Sequence, residues 1–573
     1  MARSAGSALR ARAAPLVPRL CRRALTVTAS AAPKPYYATT PIFYVNAAPH
    51  IGHLHSGVLA DVLCRYQQMR TRGWSPRGAI PDTGEARAEL LTGTDEHGMK
   101  IQRAADACGD APRALCDRVS ERFRALARAG HMDYARFIRT TDDDHRVAVE
   151  ALWKTLLDRG HIYMGEHEGW YAVSDEAFYP ATQVRTVTDP QTGEEVQEAV
   201  ESGQRVEWTH EVNYKFRLSS FQAPLVAWLK ANPDAVQPRA MYDRVLSDVK
   251  AGLSDLSISR PRSRLHWGIP VPGDDAHTIY VWVDALTNYL TAARYPGDAP
   301  AWPADVHVVG KDIVRFHAVY WPALLMAAGL PLPATVLAHS HWTVERAKMS
   351  KSRGNSVNPF DVLDTYGADA TRYFLMRAGG NMGADADYSD ALLTEFVRKD
   401  LQGQLGNLLS RVLAPKIQAR LQEVAADASC DTHTPHPCLR QPAATSADAP
   451  LLDALAALPA RFDGHMARFE LSRAAASVME AVARANESVQ AAEPWRATTP
   501  PHDVHRAVYG AVETLRVAGT LLQPIMPAAM GTLLDTLQVP HSAREWAATT
   551  QLRTHIPLRT ARSKIPPLFP RVG

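Results

Sequence analysis

The chain is poor in cysteine: six residues in 573, Cys21, Cys64, Cys108, Cys116, Cys430 and Cys438, none in a CxxC pair. That excludes a disulfide scaffold and a zinc ribbon as the basis of the fold. No uninterrupted apolar run reaches the roughly 20 residues that span a bilayer, so no membrane helix is expected. The net charge is only +3. Any contact with nucleic acid must then come from local basic patches, not from a bulk polycation. Acidic residues are missing altogether before Asp61, while Arg3, Arg10, Arg12, Arg19, Arg22 and Arg23 stand among alanines and serines. A cationic, acid-free amphipathic segment is what mitochondrial import draws across an energised membrane, so residues 1–33 are expected to be a transit peptide and the chain to reside in the matrix. A basic tail that meets RNA is the alternative.

What is present is ordinary globular composition, 46% hydrophobic and 21% charged, in a chain long enough for several cores. One turn organises it. The run from Tyr37 to Val45 is β-branched and aromatic and predicts a buried strand. From His53 to Arg72, Leu54, Val58, Val62, Leu63 and Tyr66 fall at helical spacing before Gly73. Between them lies Pro49-His50-Ile51-Gly52-His53. A strand-turn-helix aims backbone amides and the positive end of a helix dipole at one point, which suits a phosphate. The turn has neither GxGxxG nor GxxxxGK[ST]; it has His50 and His53, three apart on one face, able to donate to a phosphoryl oxygen as charge builds on it. Gly52 leaves room for a flat group against the backbone. Far downstream, Lys348-Met349-Ser350-Lys351-Ser352 lies in a polar loop with three cations and no acid from Ala347 to Asn358. Its lysines can neutralise the charge of departing pyrophosphate. Alone, the first motif also reads as a helix cap and the second as a solvated basic loop.

Together the two resemble the HIGH and KMSKS signatures of the class I aminoacyl-tRNA synthetases. The blocks around them, Thr40 to Asn46, Leu91 to Gly98, Tyr280 to Ala285 and Gly310 to Ile313 with Phe316, His317 and Trp321, resemble the methionyl-tRNA synthetases, in that family's order, from about Tyr37 to Trp495. The resemblance implies an α/β Rossmann-type nucleotide-binding catalytic domain, split by a connective insertion and followed by an all-α helical-bundle anticodon-binding domain. The expected division is a first catalytic half over 34–160, the insertion over 161–250, a second half over 251–345, the KMSKS loop and stem-contact segment over 346–390, the helical domain over 391–540 and a C-terminal strap over 541–573. The implied reaction joins L-methionine to ATP, with Mg²⁺ shared by the phosphates, releases pyrophosphate, and transfers methionine to the 3′ end of tRNA(Met) bearing a CAU anticodon.

The same resemblance assigns residues. His50, His53, Lys348 and Lys351 are the expected catalytic groups. Gly52, His53, Gly310, Lys311, Asp312, Lys348, Ser350 and Lys351 are expected to hold ATP. Ile42, Tyr44, Asp95, Trp282, Ala285, Tyr289, Ile313 and His317 are expected around methionine. An apolar, polarisable thioether favours aromatic edges, and Asp95, at the end of a strand over the crevice, is placed to meet an ammonium group. Without the family, the aromatics read as core, and Asp95 and Asp312 as helix N-caps. Asn407 and Arg411, four apart on a helix, and Trp495 beside Pro494 are the implied anticodon readers, since unstacked bases are held by aromatic planes and hydrogen bonds. Gly403 and Ser488 depart from the family's usual Asn and Tyr.

Further expectations follow along the chain. Ser75 to Glu89 reads as a surface loop absent from the family's usual path, and Cys430 to Ala449 as a linker. No cysteine occurs between Cys116 and Cys430, and His161, His167 and His210 match no compact ligand set, so no structural zinc is expected in the insertion. Thr278 to Val283 predicts a strand that hands over to a helix at Asp284. From Asp361 onward the pattern is helical. The appended dimerising module of some bacterial relatives is not expected, which implies a monomer. Methionine's carboxylate is already ionised, so catalysis needs positioning and charge stabilisation more than a base. Three rival readings fit less of the chain. A small nucleotidyltransferase leaves the KMSKS loop and the helical half unexplained, and a leucine, isoleucine or valine enzyme calls for a far larger insertion. Intact histidines and lysines oppose an idle tRNA-binding derivative.

Overall fold

The computed structural model describes residues 34–72, 88–172, 177–179, 181–189, 193–200, 203–349, 355–427, 438–442, 449–557 and 566–571. The expected transit peptide, most of the 75–89 and 430–449 loops, and Ser350 to Gly354 lie outside the described residues.

Seven parallel strands form the central sheet: β1 (Tyr36–Thr39), β2 (Phe43–Tyr44), β3 (Ala88–Asp95), β4 (Arg136–Arg139), β5 (Val236–Gln237), β6 (Val306–Gly310) and β7 (Thr335–His339). Their spatial order is β5-β7-β6-β1-β3-β2, with β4 also paired to β3. Side-chain alternation sorts the strands' residues between two cores. Ala38, Leu90, Val308 and Leu337 face one core, and Tyr37, Leu91, Val309 and Ala338 face the other. Both faces are covered, which is why these strands read as continuous apolar runs. Helix α1 (Ile51–Arg72) packs on the first face with almost no exposed side, from Leu54 to Met69.

Two sequence expectations need correction. The strand expected over Tyr37 to Val45 is two pieces on the same edge of β3: Thr39 sits opposite Leu91 and Phe43 opposite Thr94, so the chain between carries one extra residue. Pro41, with no N–H to give a ladder, occupies that break. The strand expected over Thr278 to Val283 ends earlier, at Ile279, and Val281, Trp282 and Val283 already belong to helix α2 (Val281–Ala292). Ten of that helix's twelve residues are buried, and a helix buried all round shows the same unbroken apolar run as a buried strand.

The insertion is built on an antiparallel ribbon, Ile162–Ala172 against Glu207–Phe216, in register from Ile162 opposite Phe216 to Tyr171 opposite Glu207. Val236–Gln237, inside the stretch assigned to the insertion, is the edge strand β5 of the main sheet. Beyond the sheet the chain is mostly helical: α3 (Ala368–Gly379), a π-helical stretch Val397–Gly406, then α4 (Leu471–Ala492) and α5 (Pro501–Leu522), whose buried residues are continuous with the α1 core. The tail returns as His555–Pro557 paired with Cys438–Arg440, and Phe569 is buried. Among the described residues no helix is long and apolar enough to cross a membrane.

Candidate active site

Parallel strands all end on one side, and here four ends converge. The residues after β1, at Asp95 of β3, after β6 and at the end of β7 line one cavity of about 680 Å³, which also takes in the start of α1 and one side of α2. This is the crevice that an open α/β sheet forms where the strand order reverses, here between β1 and its neighbours β3 and β6.

His50, Gly52 and His53 sit at its floor. The two imidazoles stack with centroids 3.8 Å apart, and the His50 backbone N–H donates to His53 Nδ1 at 3.1 Å. An imidazole that accepts at Nδ1 carries its proton on Nε2 when neutral. Phe43 and Phe123 meet the His53 ring edge-on at 5.0 and 5.2 Å, fixing its tilt. A Cβ on Gly52 would come within 2.9 Å of the His50 ring, so glycine is what lets that ring fold over the helix start.

At the ends of β6 and β7, Lys311 Nζ is bound by both oxygens of Asp385 at 2.6 and 2.9 Å, and Asp312 Oδ1 lies 3.1 Å from His341 Nε2. Ser56 Oγ, on α1, is 2.8 Å from His339 Nε2 and ties the turn to β7. A Cβ on Gly310 would stand 2.6 Å from Asp312 Oδ1, so the Asp312 carboxylate would have to move to admit one.

The opposite wall is apolar and aromatic. Ile42, Tyr44, Asp95, Trp282, Ala285, Tyr289, Ile313 and His317 all line it. Trp282 stacks flat on Phe316 at 3.7 Å. Tyr289 OH is 2.8 Å from His317 Nε2, and His317 Nδ1 is 2.9 Å from the Ile313 carbonyl. An Nδ1–H given to that carbonyl leaves Nε2 to accept the phenol proton, a neutral ring. Burial agrees, bringing the His317 pKa down to about 4. A neutral polar tip and aromatic planes suit an uncharged, polarisable side chain.

All the expected methionine residues and His50, Gly52, His53, Gly310, Lys311 and Asp312 are thus brought together. Of the loop, Met349 lines the cavity, and the backbone of Ala347–Lys348 pairs with Trp342–Val344 in a hairpin. The Lys348 side chain, Ser350 and Lys351 lie outside the described residues. Sequence reasoning missed Ser56, His339 and His341, and gave Phe316, seen as part of a family block, no role; of these, Phe316, His339 and His341 lie at or beyond strand ends. The rule that strand ends face the crevice would have found the last two.

Asn407, Arg411 and Trp495 meet on a separate surface. The Arg411 guanidinium is 5.9 Å from the Trp495 ring centroid, Asn407 donates to Asn486 Oδ1 at 3.2 Å, and Arg411 donates to Gln490 Oε1 at 2.9 Å. Asn486 and Gln490 were not foreseen, because the α4 spacing alone marks them only as surface. Gly403 has a local reason: in the π-helical stretch its Cβ would lie 2.9 Å from the Arg398 carbonyl oxygen.

A strand-turn-helix with two histidines at a strand-order switch points to a nucleotide-using class of enzyme, and the sequence profile "tRNA synthetases class I (M)" matches residues 36–413. A second profile, the anticodon binding domain of methionyl tRNA ligase, matches residues 440–564. The chain is 43% identical to the probable mitochondrial methionine–tRNA ligase of Neurospora crassa over 92% of this chain and 85% of that one. It is 45% identical to the human mitochondrial methionine–tRNA ligase over 89% and 84%. Among solved structures, Mycobacterium tuberculosis methionyl-tRNA synthetase in complex with methionyl-adenylate superposes with a TM-score of 0.82 at 37% identity, covering 94% of this chain and all of that one. The chain belongs to the methionyl-tRNA synthetases.

Proposed function

We propose that this chain activates L-methionine with ATP to methionyl-adenylate, releases pyrophosphate, and passes methionine to the 3′ end of tRNA(Met) in the mitochondrial matrix. The observation that carries this reading is the single cavity with two unlike walls: paired imidazoles and strand-end polar groups on one side, aromatic rings around a neutral histidine on the other.

In this reading Asp95 takes the ammonium group, Tyr44, Trp282, Ala285, Tyr289, Ile42, Ile313 and His317 surround the thioether chain, and Gly310, Lys311 and Asp312 meet the adenosine end. With the carboxylate attacking the α-phosphorus as an ionised nucleophile, the protein's task is to align it and to stabilise charge on the phosphoryl oxygens. His50 and His53 do so from the helix start, Lys348, Ser350 and Lys351 from the loop. Mg²⁺ comes as part of the nucleotide. Its ligands in this reading are the phosphates and water.

The insertion needs no structural zinc in this account. Its long ribbon is pinned by the edge-on pair Trp170–Trp208 at 5.4 Å and by Arg264 bridging Glu207 and Glu211. Asn407, Arg411 and Trp495 read the CAU anticodon, the enzyme works as a monomer, and residues 1–33 are the import signal.

The test is an amino-acid screen of ATP–pyrophosphate exchange, in which methionine alone responds. Lys351→Ala slows the exchange by about 10²–10³, the cost of removing one charge-stabilising donor, with methionine binding unchanged. An unchanged rate removes the loop from the mechanism.

A further inference from the structure

Behind the aromatic wall lies a carboxylate that the reaction just described does not use. Asp284 is 1% exposed and sits on α2 between Trp282 and Ala285, both of which line the cavity. Its Oδ2 is 2.7 Å from His97 Nδ1 and its Oδ1 is 2.7 Å from His145 Nε2. His145, on the helix Asp143–Asp158, is itself fully buried, and its Nδ1 lies 2.9 Å from Thr291 Oγ1, further along α2. Burial alone would push the Asp284 carboxyl up. The His97 and His145 imidazoles outweigh it and hold the group down at about 2, so it stays ionised.

What makes this more than a core ion cluster is where His97 stands. It is two residues past Asp95, at the end of β3, and its carbonyl accepts the Tyr44 hydroxyl proton at 2.9 Å. One carboxylate therefore joins the helix that carries Trp282, Ala285 and Tyr289 to the strand end that carries Asp95 and to the ring of Tyr44. These are the two halves of the aromatic wall, between which the amino acid must fit. We propose that Asp284 is a positioning residue for the methionine subsite, locking those two halves to each other through His97 without touching the substrate. The proposal rests on the methionine reading given above. An apolar pocket distinguishes side chains that differ by one methylene only weakly, and that discrimination is lost if the halves drift; misplacement by an ångström costs on the order of a hundredfold.

The amide and the truncation separate position from charge. In Asp284→Asn the amide carbonyl accepts from His97 Nδ1–H and the amide N–H donates to His145 Nε2. His145 takes the other tautomer against the Thr291 hydroxyl, which can donate or accept. The cross-link survives and the charge is gone. In Asp284→Ala both are gone. ATP–pyrophosphate exchange on the full chain should show Asp284→Ala raising the methionine KM at least tenfold with the ATP KM within twofold of wild type, and Asp284→Asn restoring most of the affinity. His97→Ala, at a position 8% exposed, should reproduce the alanine phenotype and serves if Asp284→Ala does not fold. Asp95→Asn reports the subsite assignment itself: an unchanged methionine KM there overturns the methionine reading and the proposal with it. If Asp95→Asn raises that KM while His97→Ala leaves it unchanged, the positioning role alone is refuted. That role is refuted equally if Asp284→Asn is as damaging as Asp284→Ala, or if the ATP KM rises in step.

Discussion

Asp61→Asn removes one charge from the most buried ion pair that links α1 to the helical half of the chain. Asp61 Oδ2 accepts from Arg372 Nη2 at 2.6 Å and from Arg65 Nε at 2.8 Å, and Oδ1 accepts the Asp133 backbone N–H at 2.8 Å. Arg372, on α3, spends its other donors on the carbonyls of Gly130, Pro524 and Ile525. Side-chain exposure, 0% for Arg372 and 1% for Asp61, decides the magnitude. An exposed pair is worth roughly 0.2–1 kcal/mol, whereas stranding one ion of a buried pair costs about 3–5 kcal/mol. Asparagine keeps the shape and its one oxygen still accepts from Asp133, but its amide NH2 then faces the two guanidinium donors, so the charge and both of their hydrogen bonds are lost together. Arg65 is near enough to the surface to turn outward; Arg372 is not. Urea unfolding followed by tryptophan fluorescence should show a loss in that higher range. Because buried neighbours couple, Asp61→Asn combined with Arg372→Met should cost less than the two changes summed.

The pH dependence of that loss has a definite sign. Burial pushes the Asp61 carboxyl up, but Arg65 and Arg372 outweigh it and hold the group below its ordinary 3.8. A depressed carboxylate contributes stability that is full above the unfolded value and disappears as pH falls through the folded one. The gap between wild type and Asp61→Asn should be constant near neutrality and shrink below about pH 4. A loss under roughly 1 kcal/mol at pH 7, or additive single changes, would refute the reasoning.

Two further outcomes are expected. Gly93→Ala places a Cβ 2.0 Å from the Ile138 carbonyl oxygen, across the β3–β4 ladder in which Gly93 faces Ile138. The obstacle is the Ile138 backbone, which no rotamer relieves, so the cost is at least about 1–3 kcal/mol, read as a lowered Tm; an unchanged Tm would mean that the strands part freely. Arg411→Ala removes the cation beside Trp495 and should cost tRNA charging about 1–3 kcal/mol, a roughly five- to 150-fold loss in kcat/KM. Pyrophosphate exchange, which needs no tRNA, should stay at the wild-type rate.

Much of the site was legible because its signals are short-range. The β1-turn-α1 passage shows a strand composition, a Pro-Gly turn and a helical period within 36 residues, Tyr37 to Arg72, and the strand-end rule put Asp95, Lys311 and Asp312 over one crevice. Local composition failed where burial, not propensity, chose the conformation. Trp282 is in a helix, although its β-branched neighbours favour a strand, because α2 is enclosed on nearly all sides. The extra residue around Pro41 left no local mark, since the register of two parallel pieces is a property of their partner β3.

The residues that hold the site together were the least legible, for a related reason. Asp284 reads in the sequence as the acid in the first turn of a helix, and His97 and His145 as two unrelated imidazoles 48 residues apart. Asp61 and Arg372 are 311 positions apart, and nothing in either segment calls for the other. A parallel sheet forces such distances, because each crossover sends the chain away before returning it to the neighbouring strand. Many of the groups that line its crevice come from strand ends, whose place is announced locally. The groups that brace those ends must bridge crossovers, so they pair residues that only the finished fold brings together. Substitutions at the bracing positions should therefore act through KM and stability, and those at the groups proposed to face the phosphates through the chemical step, a division that the Asp284 and Lys351 variants test on the same exchange assay.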